Sequence, residues 1–339
     1  MMKKFKFEIR GSRKEDLKDV VKFLKRLGSE NVIHLIPSEK FLLWKYRYSN
    51  LLRKRMWFWI VRDGEKVVGI SGSIPIRLFT PKGITNAMWE SDVMIEQNYR
   101  KYPFLFLQLI GMKHRGWQNV RVSAGLTFPF AKEVSKTWQK VGWLPLPFVY
   151  NSIFRINKNY NFNTPSSLIK LKKINYFDKK INFFFKRVSH QYDFIICRNR
   201  DYLNWRYFRH PFYKYKVIIA LKNERILGYI VFRKEKETKT GYILDILGDL
   251  NYPRHIYFLV FKALRYFKEK EVRNVYCLLT HKKYISIFRK IGFYPYEKTD
   301  CLIRFIDTQL QNVFIRRKNW HLTLGDGLEG VHLRWTGIK

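Results

Sequence analysis

The sequence has few cysteines, few acidic residues and no long apolar run. Its three cysteines, Cys197, Cys277 and Cys301, lie far apart and form no CxxC or Cys/His group, which argues against a zinc site and a disulfide framework. The histidines show no HExxH-type spacing. No apolar stretch approaches the length of a membrane span, and the N-terminal "MMKKFKFEIR" is charged too early for a signal peptide. These absences predict a cytoplasmic chain without a metal site.

The shortage of acidic residues leaves 66 Lys and Arg against 27 Asp and Glu, a net charge of +39. Such an excess favours a polyanionic partner, such as tRNA, an anionic membrane surface or a phosphorylated substrate. A general compositional bias would produce it as well, since Lys, Ile, Asn, Phe and Tyr are all used heavily. Both interpretations stay open. The 339 residues, 46% of them hydrophobic, suffice for two domains with buried cores.

The chain contains an internal repeat. One copy reads "FLLWKYRYSNLLRKRMWFWIVRDGEKVVGI" and the other reads "DYLNWRYFRHPFYKYKVIIALKNERILGYI". Each has an aromatic and basic segment around a Trp (Trp44, Trp205), an apolar strand, a polar turn, and a second strand that holds a Gly (Gly69, Gly228). The order and spacing of these features predict two copies of one fold.

The repeat also predicts the turns and the limits of the two copies. Asp63-Gly64 is a strong hairpin signal because Gly accepts positive φ, and Asn223-Glu224 occupies the matching place. The strings "WQKVGWLPL" and "FRKIGFYPY" each end a helix at a Gly. We therefore predict an N-terminal domain over residues 1–156, a basic linker over 157–190 and a C-terminal domain over 191–339. The Lys-rich linker suits a short packed helix better than a flexible connection.

The first copy also has a readable order of elements. Strand "FKFEIR" and helix "KEDLKDVVKFLKRL" precede an antiparallel run of strands, and then come a helix, the strand "VRVSAGL" and a last helix. This order predicts an α/β fold of the α+β type, with a mixed sheet flanked by helices.

Three strings carry a resemblance to a known family: "SDVMIEQNYRKYPFLFLQL", and the helix ends "TWQKVGW" and "IFRKIGF". With the order of elements, they resemble the GNAT (GCN5-related N-acetyltransferase) superfamily, in its tandem two-domain form. The resemblance implies two GNAT-like domains, each a mostly antiparallel sheet with a splayed parallel pair. It also implies an N-acyltransferase that uses acetyl-CoA or another acyl-CoA, with an amine of a small molecule or carbohydrate intermediate as acceptor. The second copy would be a degenerate scaffold that shapes the acceptor cleft.

The family's Arg/Gln-x-x-Gly-x-Gly/Ala turn, which holds the coenzyme A pyrophosphate at a helix N-terminus, aligns with residues 100–105. Pro103 and Leu105 replace the two glycines, but Pro is well suited to the first helical position. A basic turn before a core helix is the alternative interpretation. The cofactor-binding residues that the resemblance implies lie on the preceding strand and in this turn: Met94, Ile95, Tyr99, Arg100, Lys101, Tyr102, Phe104 and Leu105.

The resemblance also implies a carboxylate base on the fourth strand, where Glu90 and Asp92 are spaced by two residues. That spacing predicts that both side chains share one face of the strand. Asp92 aligns best and is the first candidate, and the alternatives are a solvent-facing acidic pair or a partner for nearby Arg side chains. The family's usual acid, a Tyr, aligns with Trp138 and Phe288, so the thiolate leaves unassisted, another Tyr such as Tyr150 substitutes, or the chemistry has been lost.

Two other functions agree with the same pattern. A Fem-type peptidyltransferase, also built from two GNAT-like halves, takes aminoacyl-tRNA as donor and would explain both the missing glycines and the high positive charge. A non-catalytic GNAT-like binding or scaffold protein would explain the missing Tyr.

Overall fold

A computed structural model describes most of the chain. The described ranges are 6–29, 38–47, 56–129, 132–146, 149–157, 160, 168–235, 238–316 and 319–327. Within these ranges no helix is both long and apolar enough to cross a membrane. Residues 161–167 of the predicted linker lie outside the described residues.

The described residues form strands and α-helices in the alternating order that the sequence predicts. The strands are β1 (Phe7–Gly11), β2 (Phe58–Asp63), β3 (Lys66–Thr80), β4 (Gly83–Ile95), β5 (Val122–Thr127), β6 (Leu144–Pro145), β7 (Tyr150–Arg155), β8 (Lys170–Ile174), β9 (Phe194–Ile196), β10 (Lys216–Lys222), β11 (Arg225–Lys234), β12 (Thr240–Gly248), β13 (Asn274–Leu279), β14 (Tyr294–Lys298), β15 (Leu302–Phe305) and β16 (Trp320–His321). The helices are α1 (Leu17–Ser29), α2 (Glu39–Tyr46), α3 (Pro103–Gln118), α4 (Lys132–Lys140), α5 (Lys180–Val188), α6 (Arg200–Leu203), α7 (Arg254–Glu269), α8 (Lys282–Ile291) and α9 (Thr308–Arg316).

The strands form two separate sheets with the same internal order. The first sheet runs β1-β2-β3-β4-β5-β15-β6, with β9 and β16 attached beside β3, and the second runs β8-β10-β11-β12-β13-β7-β14. In each sheet the fourth and fifth strands, β4 with β5 and β12 with β13, are parallel, and the neighbouring pairs along the order are antiparallel. The predicted mixed sheet flanked by helices is confirmed, and it occurs twice.

The two sheets exchange one strand. β15, which belongs to the predicted C-terminal domain, lies between β5 and β6 of the first sheet, and β7, which belongs to the predicted N-terminal domain, lies between β13 and β14 of the second sheet. Because β9 of the second copy also pairs with β3, sheet membership crosses both predicted domain limits. The division at residues 156 and 190 therefore stays a prediction about repeated units and does not describe separable bodies.

The two copies meet at their equivalent tryptophans. Trp44 and Trp205 stack with ring centroids 5.0 Å apart. Each indole N–H donates to the other residue's carbonyl oxygen, at 3.0 Å from Trp44 and at 2.9 Å from Trp205. Such a reciprocal contact is what a two-fold relation between the repeats produces.

The hairpins match the repeat with a shift of one residue. Asp63 pairs with Lys66, so the two turn residues of the first hairpin are Gly64 and Glu65 rather than Asp63 and Gly64. In the second hairpin the turn residues are Asn223 and Glu224, with φ values of 49° and 59°. Gly64 has a φ of 57°, the positive value for which Gly has no steric cost.

Each half has a helix-covered core. In β2 the side chains of Phe58 and Ile60 face the core beneath α1 and α2, whereas Trp59 and Val61 face a second core beneath α3. The predicted packed helix of the linker is α5, whose buried side chains are Ile181, Phe184, Phe185 and Val188. α1/α2 and α3 thus cover opposite faces of the first sheet, which decides where the candidate site residues point.

Candidate functional site

The parallel strands of the first sheet separate and leave an opening, which we call the first cleft. The β4–β5 ladder ends at the pair Trp89 and Leu126, while β4 continues to Ile95 along β3. In the described ranges no other segment pairs with this side of β4 beyond Trp89. Glu96 donates its N–H to Val68, so strand alternation turns the N–H and C=O of Ile95 away from β3 and towards the cleft.

Helix α3 begins beside this opening. Its first residue is Pro103, as predicted, and no side chain caps its first turn. Leu105 N–H bonds to the carbonyl oxygen of Tyr102, whereas Phe104 N–H has no intrahelical acceptor at this position. The exposed Arg100 donates from Nε to Ile95 O at 2.9 Å, and Lys101 is exposed beside it. A helix N-terminus with two adjacent cations is suited to an anion.

The other predicted cofactor-binding residues take different positions. Tyr99 donates its hydroxyl hydrogen to Asp63 at 2.9 Å, and burial, with that hydrogen bond, raises the pKa of Tyr99 to about 12. Tyr102 and Phe104 pack their rings on Phe7. Leu105 is fully buried in the core beneath α3, so its side chain faces no opening. Met94 packs against the core beneath α1 and α2, and Ile95 packs against the core beneath α3.

Asp92 lies on a β-bulge just beyond the point where the strands separate. The register of β4 against β3 shifts between Ile70 and Gly72, and Asp92 has a φ of 51°, which is uncommon for a residue other than Gly. Its carboxylate accepts hydrogen bonds from Lys45 Nζ and from the Tyr46 hydroxyl, both at 2.5 Å. Burial would raise the pKa of Asp92, but the Lys45 ammonium and these hydrogen bonds hold it below its ordinary value. The carboxylate is therefore ionised at neutral pH.

Glu90 points to the opposite face, so the expectation that it shares a face with Asp92 is wrong. Its carboxylate bonds to Lys113 of α3 and accepts from Ser73 Oγ at 2.6 Å, and neither Glu90 nor Lys113 has exposed side-chain surface. The bulge inserts one residue into β4 and reverses the alternation of its side chains. Burial raises the pKa of Glu90 against the charge of Lys113.

The two residues that align with the family's acid are buried in cores, and the suggested substitute, Tyr150, lies in the second sheet. Trp138 packs on Trp143 and Phe106, and Phe288 packs on Phe293, each inside a core. Tyr150 belongs to β7 and pairs with Leu279 in the second sheet. Among the described residues, no group of three or more His, Cys, Asp or Glu is arranged to hold a metal ion.

The equivalent opening of the second sheet, the second cleft, is filled by the chain itself. The β12–β13 ladder ends at Ile243 and Cys277, and the segment 320–327 then enters between the strands. His321 Nε2 bonds to Ile246 O at 2.9 Å, and Thr323 forms a bridge with Leu279. Arg206 holds this segment by donating from Nε to Gly325 O at 2.9 Å and from Nη2 to Gly327 O at 3.0 Å.

The turn before α7 is also occupied by the chain's own groups. Asp249 accepts from Asn251 N–H at 3.1 Å, so a carboxylate holds the turn that leads into α7. The His255 ring lies so close to Gly228 and Gly248 that a Cβ at either glycine would overlap it. Within the residues that the structure describes, α7 also begins without a side-chain cap, so the two halves differ chiefly in the cleft itself: β4 has an open edge beyond Trp89, whereas residues 320–327 fill the second cleft.

A Tyr–Asp hydrogen bond occurs at the same place in both halves. Asp92 lies three residues before Ile95, the partner of the repeated Gly69, and Asp245 lies three residues before Gly248, the partner of Gly228. The Tyr207 hydroxyl donates to Asp245 at 3.1 Å, as Tyr46 donates to Asp92.

The sequence analysis missed Lys45 and Tyr46 as site neighbours. The strings "WKY" and "WRY" in the two copies carried the signal, but they were interpreted as fold-forming segments only. Lys45 bonds to Asp92, whereas the equivalent Arg206 binds the C-terminal segment.

Compared by sequence, the chain matches no protein-family model and no curated protein. Compared by structure, it is similar to a GCN5-related N-acetyltransferase from Anabaena variabilis, with a TM-score of 0.63, 12% identity, and coverage of 90% of this chain and 74% of that one. A probable N-acyltransferase from Enterococcus faecalis has a TM-score of 0.63 and 10% identity, with coverage of 90% and 74%. Saccharomyces cerevisiae N-myristoyltransferase with bound myristoyl-CoA has a TM-score of 0.60 and 13% identity, with coverage of 88% and 78%. The predicted resemblance is thus confirmed at the level of the fold: the chain has the fold of the GNAT superfamily of acyltransferases.

Proposed function

We propose that this protein is an acyl-CoA-dependent N-acyltransferase that binds its thioester donor in the first cleft. One observation carries the proposal: among the described residues the first cleft is open along β4 beyond Trp89 and adjoins a helix start with two cations, whereas the second cleft is filled by residues 320–327. A chain that keeps one opening and closes its repeat is expected to use the open one. The similar structure with bound myristoyl-CoA supports a coenzyme A donor.

The donor would extend along the free edge of β4. Its diphosphate would lie at the start of α3, near Phe104 N–H, Arg100 and Lys101, because anions are stabilised at helix N-termini. The N–H of Ile95 faces the same side and can donate to a carbonyl oxygen of the pantetheine arm, while the carbonyl oxygen of Ile95 accepts from Arg100. The thioester would then reach the bulge at Asp92. This arrangement does not select between acetyl-CoA and a longer acyl-CoA.

In the transfer, the uncharged acceptor amine attacks the thioester carbonyl carbon, the C–N bond forms, the C–S bond breaks, and the proton that leaves the nitrogen passes to the departing thiolate, directly or through water. We assign Asp92 to bind the amine beside the thioester. A carboxylate whose pKa is held low by Lys45 is a weak proton acceptor, but it can accept a hydrogen bond from an amine N–H and so orient the nitrogen towards the carbonyl carbon. Glu90 has no assigned step, because it is enclosed with Lys113 on the other face.

The acceptor is proposed to be an amine of a small molecule or carbohydrate intermediate. We expect no reaction step in the second cleft. Because residues 320–327 fill it, we assign the second half a structural role. The strand exchange supports this role, since β15 of the second half completes the first sheet beside β5.

Titration calorimetry with coenzyme A tests the donor site, with a matched pair of variants. The backbone N–H of Tyr99 donates to Glu96 O, and the backbone N–H of Tyr252 donates to Asp249 O in the equivalent turn. Lys101 and Arg254, each two residues further on, are therefore equivalent residues. Lys101→Ala should weaken binding by about 1–2 kcal/mol, the scale of a lost charge-assisted hydrogen bond, and Arg254→Ala should leave it unchanged. Equal losses in both variants would overturn the assignment to the first cleft. Binding of tRNA without binding of coenzyme A would favour the aminoacyl-tRNA-dependent function instead.

A further inference from the structure

A second surface, remote in sequence from the first cleft, combines exposed aromatic side chains with unpaired lysines. It lies on α5 and on the turn that precedes it. Phe183 is 72% exposed and Tyr176 is 53% exposed, although the remaining aromatic residues of this segment, Phe177, Phe184 and Phe185, are buried. α5 thus places one large apolar side chain on its solvent face.

Lysines surround this exposed ring. Lys179 and Lys180 lie one helical turn before Phe183, and Lys186 lies one turn after it, and all three are exposed. The segment 168–188 holds seven cations against a single acid, Asp178. The carboxylate of Asp178 accepts from Lys180 N–H at 2.8 Å and so caps the helix instead of pairing with a lysine.

The lysines of this segment are not neutralised by the rest of the protein. In the described residues, the ion pair of this segment joins Arg187 to Asp249 at 3.8 Å and leaves the lysines without a carboxylate partner. Arg200 adjoins this surface, since its backbone N–H donates to Asn182 Oδ1 at 2.8 Å, beside Phe183, but its guanidinium pairs with Asp201 at 3.0 Å, so the unpaired charge comes from the lysines. Tyr176 lies near it: a hydrogen bond to Asp201 and, more weakly, the neighbouring Tyr176 raise the pKa of Arg200.

We infer that the face of α5 formed by Tyr176, Lys179, Lys180, Phe183 and Lys186 docks on an anionic phospholipid membrane. An aromatic ring that enters the headgroup region contributes burial of apolar area, and flanking lysines bind lipid phosphates from their long stems. The net charge of +39 complements an anionic bilayer. A nucleic acid is the weaker match, because the unpaired cations here are point-charge lysines, whereas the neighbouring Arg187 and Arg200, of the type that also stacks on bases, pair with Asp249 and Asp201.

The docking surface is independent of the proposed donor site, and its test does not use coenzyme A. The full chain is sedimented with vesicles of phosphatidylcholine alone or with phosphatidylserine added. Only the phosphatidylserine vesicles should bind the chain, and binding should weaken as salt increases.

Two matched pairs of variants separate local docking from bulk charge. Lys179→Ala, Lys180→Ala and Lys186→Ala together should weaken vesicle binding by about tenfold to a hundredfold. The same three-charge change on exposed residues of α4, Lys132→Ala, Lys136→Ala and Lys140→Ala, should have little effect.

Phe183→Ala should weaken binding about tenfold, and Ile315→Ala, at another side chain that is 61% exposed, should not. Equal losses of vesicle binding in the two triple-lysine variants would show that binding depends on net charge alone, and would overturn the proposal. So would a loss of binding to a single-stranded RNA oligonucleotide in Phe183→Ala with vesicle binding unchanged.

Discussion

The two clefts of this protein lie at equivalent places in its two repeated halves, but they differ in what occupies them. In the first, the edge of β4 beyond Trp89 pairs with no other described segment, and α3 begins beside it at Pro103. In the second, residues 320–327 enter between β12 and β13, and Asp249 occupies the turn before α7. Backbone groups at a splayed sheet edge need partners, which one half takes from its own chain. In the other half no described segment of the chain supplies them, and we propose that the thioester donor does.

The comparison also separates what the fold requires from what a reaction requires. The Tyr–Asp hydrogen bond occurs in both halves, so it contributes to the fold wherever it is found. The cation that precedes each Tyr differs in its partner: Lys45 pairs with Asp92, and Arg206 holds the C-terminal segment. Lys45, unlike Arg206, binds no C-terminal segment. We therefore expect a ligand in the first cleft to lie beside Lys45 and Asp92.

The largest expected effect comes from removing the charge of Asp92. If Asp92 binds the amine, Asp92→Asn should lower turnover by about two to four orders of magnitude with donor binding retained. Asp245→Asn removes the equivalent charge in the filled cleft and should leave turnover per folded molecule unchanged. Thiol release from acyl-CoA measures turnover, and circular dichroism measures the folded fraction.

Because Asp245 is buried with Arg198, its variant is expected to be destabilised, and Tyr207→Phe serves as a milder control in the same half. Equal turnover in Asp92→Asn and the unmodified chain would assign Asp92 to the fold alone.

A smaller effect should follow from displacing the segment that fills the second cleft. A Cβ on Gly325 would overlap the Tyr207 hydroxyl and approach Leu244 O to 2.8 Å, so Gly325→Ala should cost about 1–3 kcal/mol of unfolding free energy. Gly111 of α3 has open space around its Cα, and Gly111→Ala should stabilise by about 0.5–1 kcal/mol. Urea denaturation of both variants gives the comparison, and a neutral Gly325→Ala would show that the second cleft is loosely filled.

The smallest expected effect is on the pH dependence of stability. Burial lowers the pKa of His255 and of His281 to about 4, below the value near 6.5 in an unfolded chain. The unfolded state then binds more protons, so their contribution is complete above pH 6.5 and is lost as pH falls towards 4. Between pH 7.5 and 5.5, each should lower the free energy of unfolding by about 1 kcal/mol.

His255→Gln should remove the contribution of His255 to the pH dependence of the free energy of unfolding. Denaturant titrations at pH 7.5 and at pH 5.5 measure the difference for both proteins. An identical pH dependence in the variant and the unmodified chain would contradict the interpretation that His255 is buried and neutral at the start of α7.

Some elements of the site were predictable from local pattern and some were not. The start of α3 was predictable because Pro at the first helical position is a local signal, and it is confirmed. The face of Asp92 was not, since a β-bulge depends on how β4 pairs with β3 and leaves no mark in a spacing of two residues. The turn at Gly64 and Glu65 was predicted one residue early for a similar reason, because the ladder sets which residues remain unpaired.

The sequence by itself determined that two copies of one fold are present, because the repeated Trp, turn and Gly signals are local and survive in each copy. It also determined the mixed sheet and its helices through periodicity. The tertiary structure alone decided that the halves exchange β7 and β15, that Trp44 meets Trp205, and that residues 320–327 fill one cleft and not the other. These features join residues that are far apart in the chain, and their energies depend on the pairing of whole strands, which no local pattern encodes.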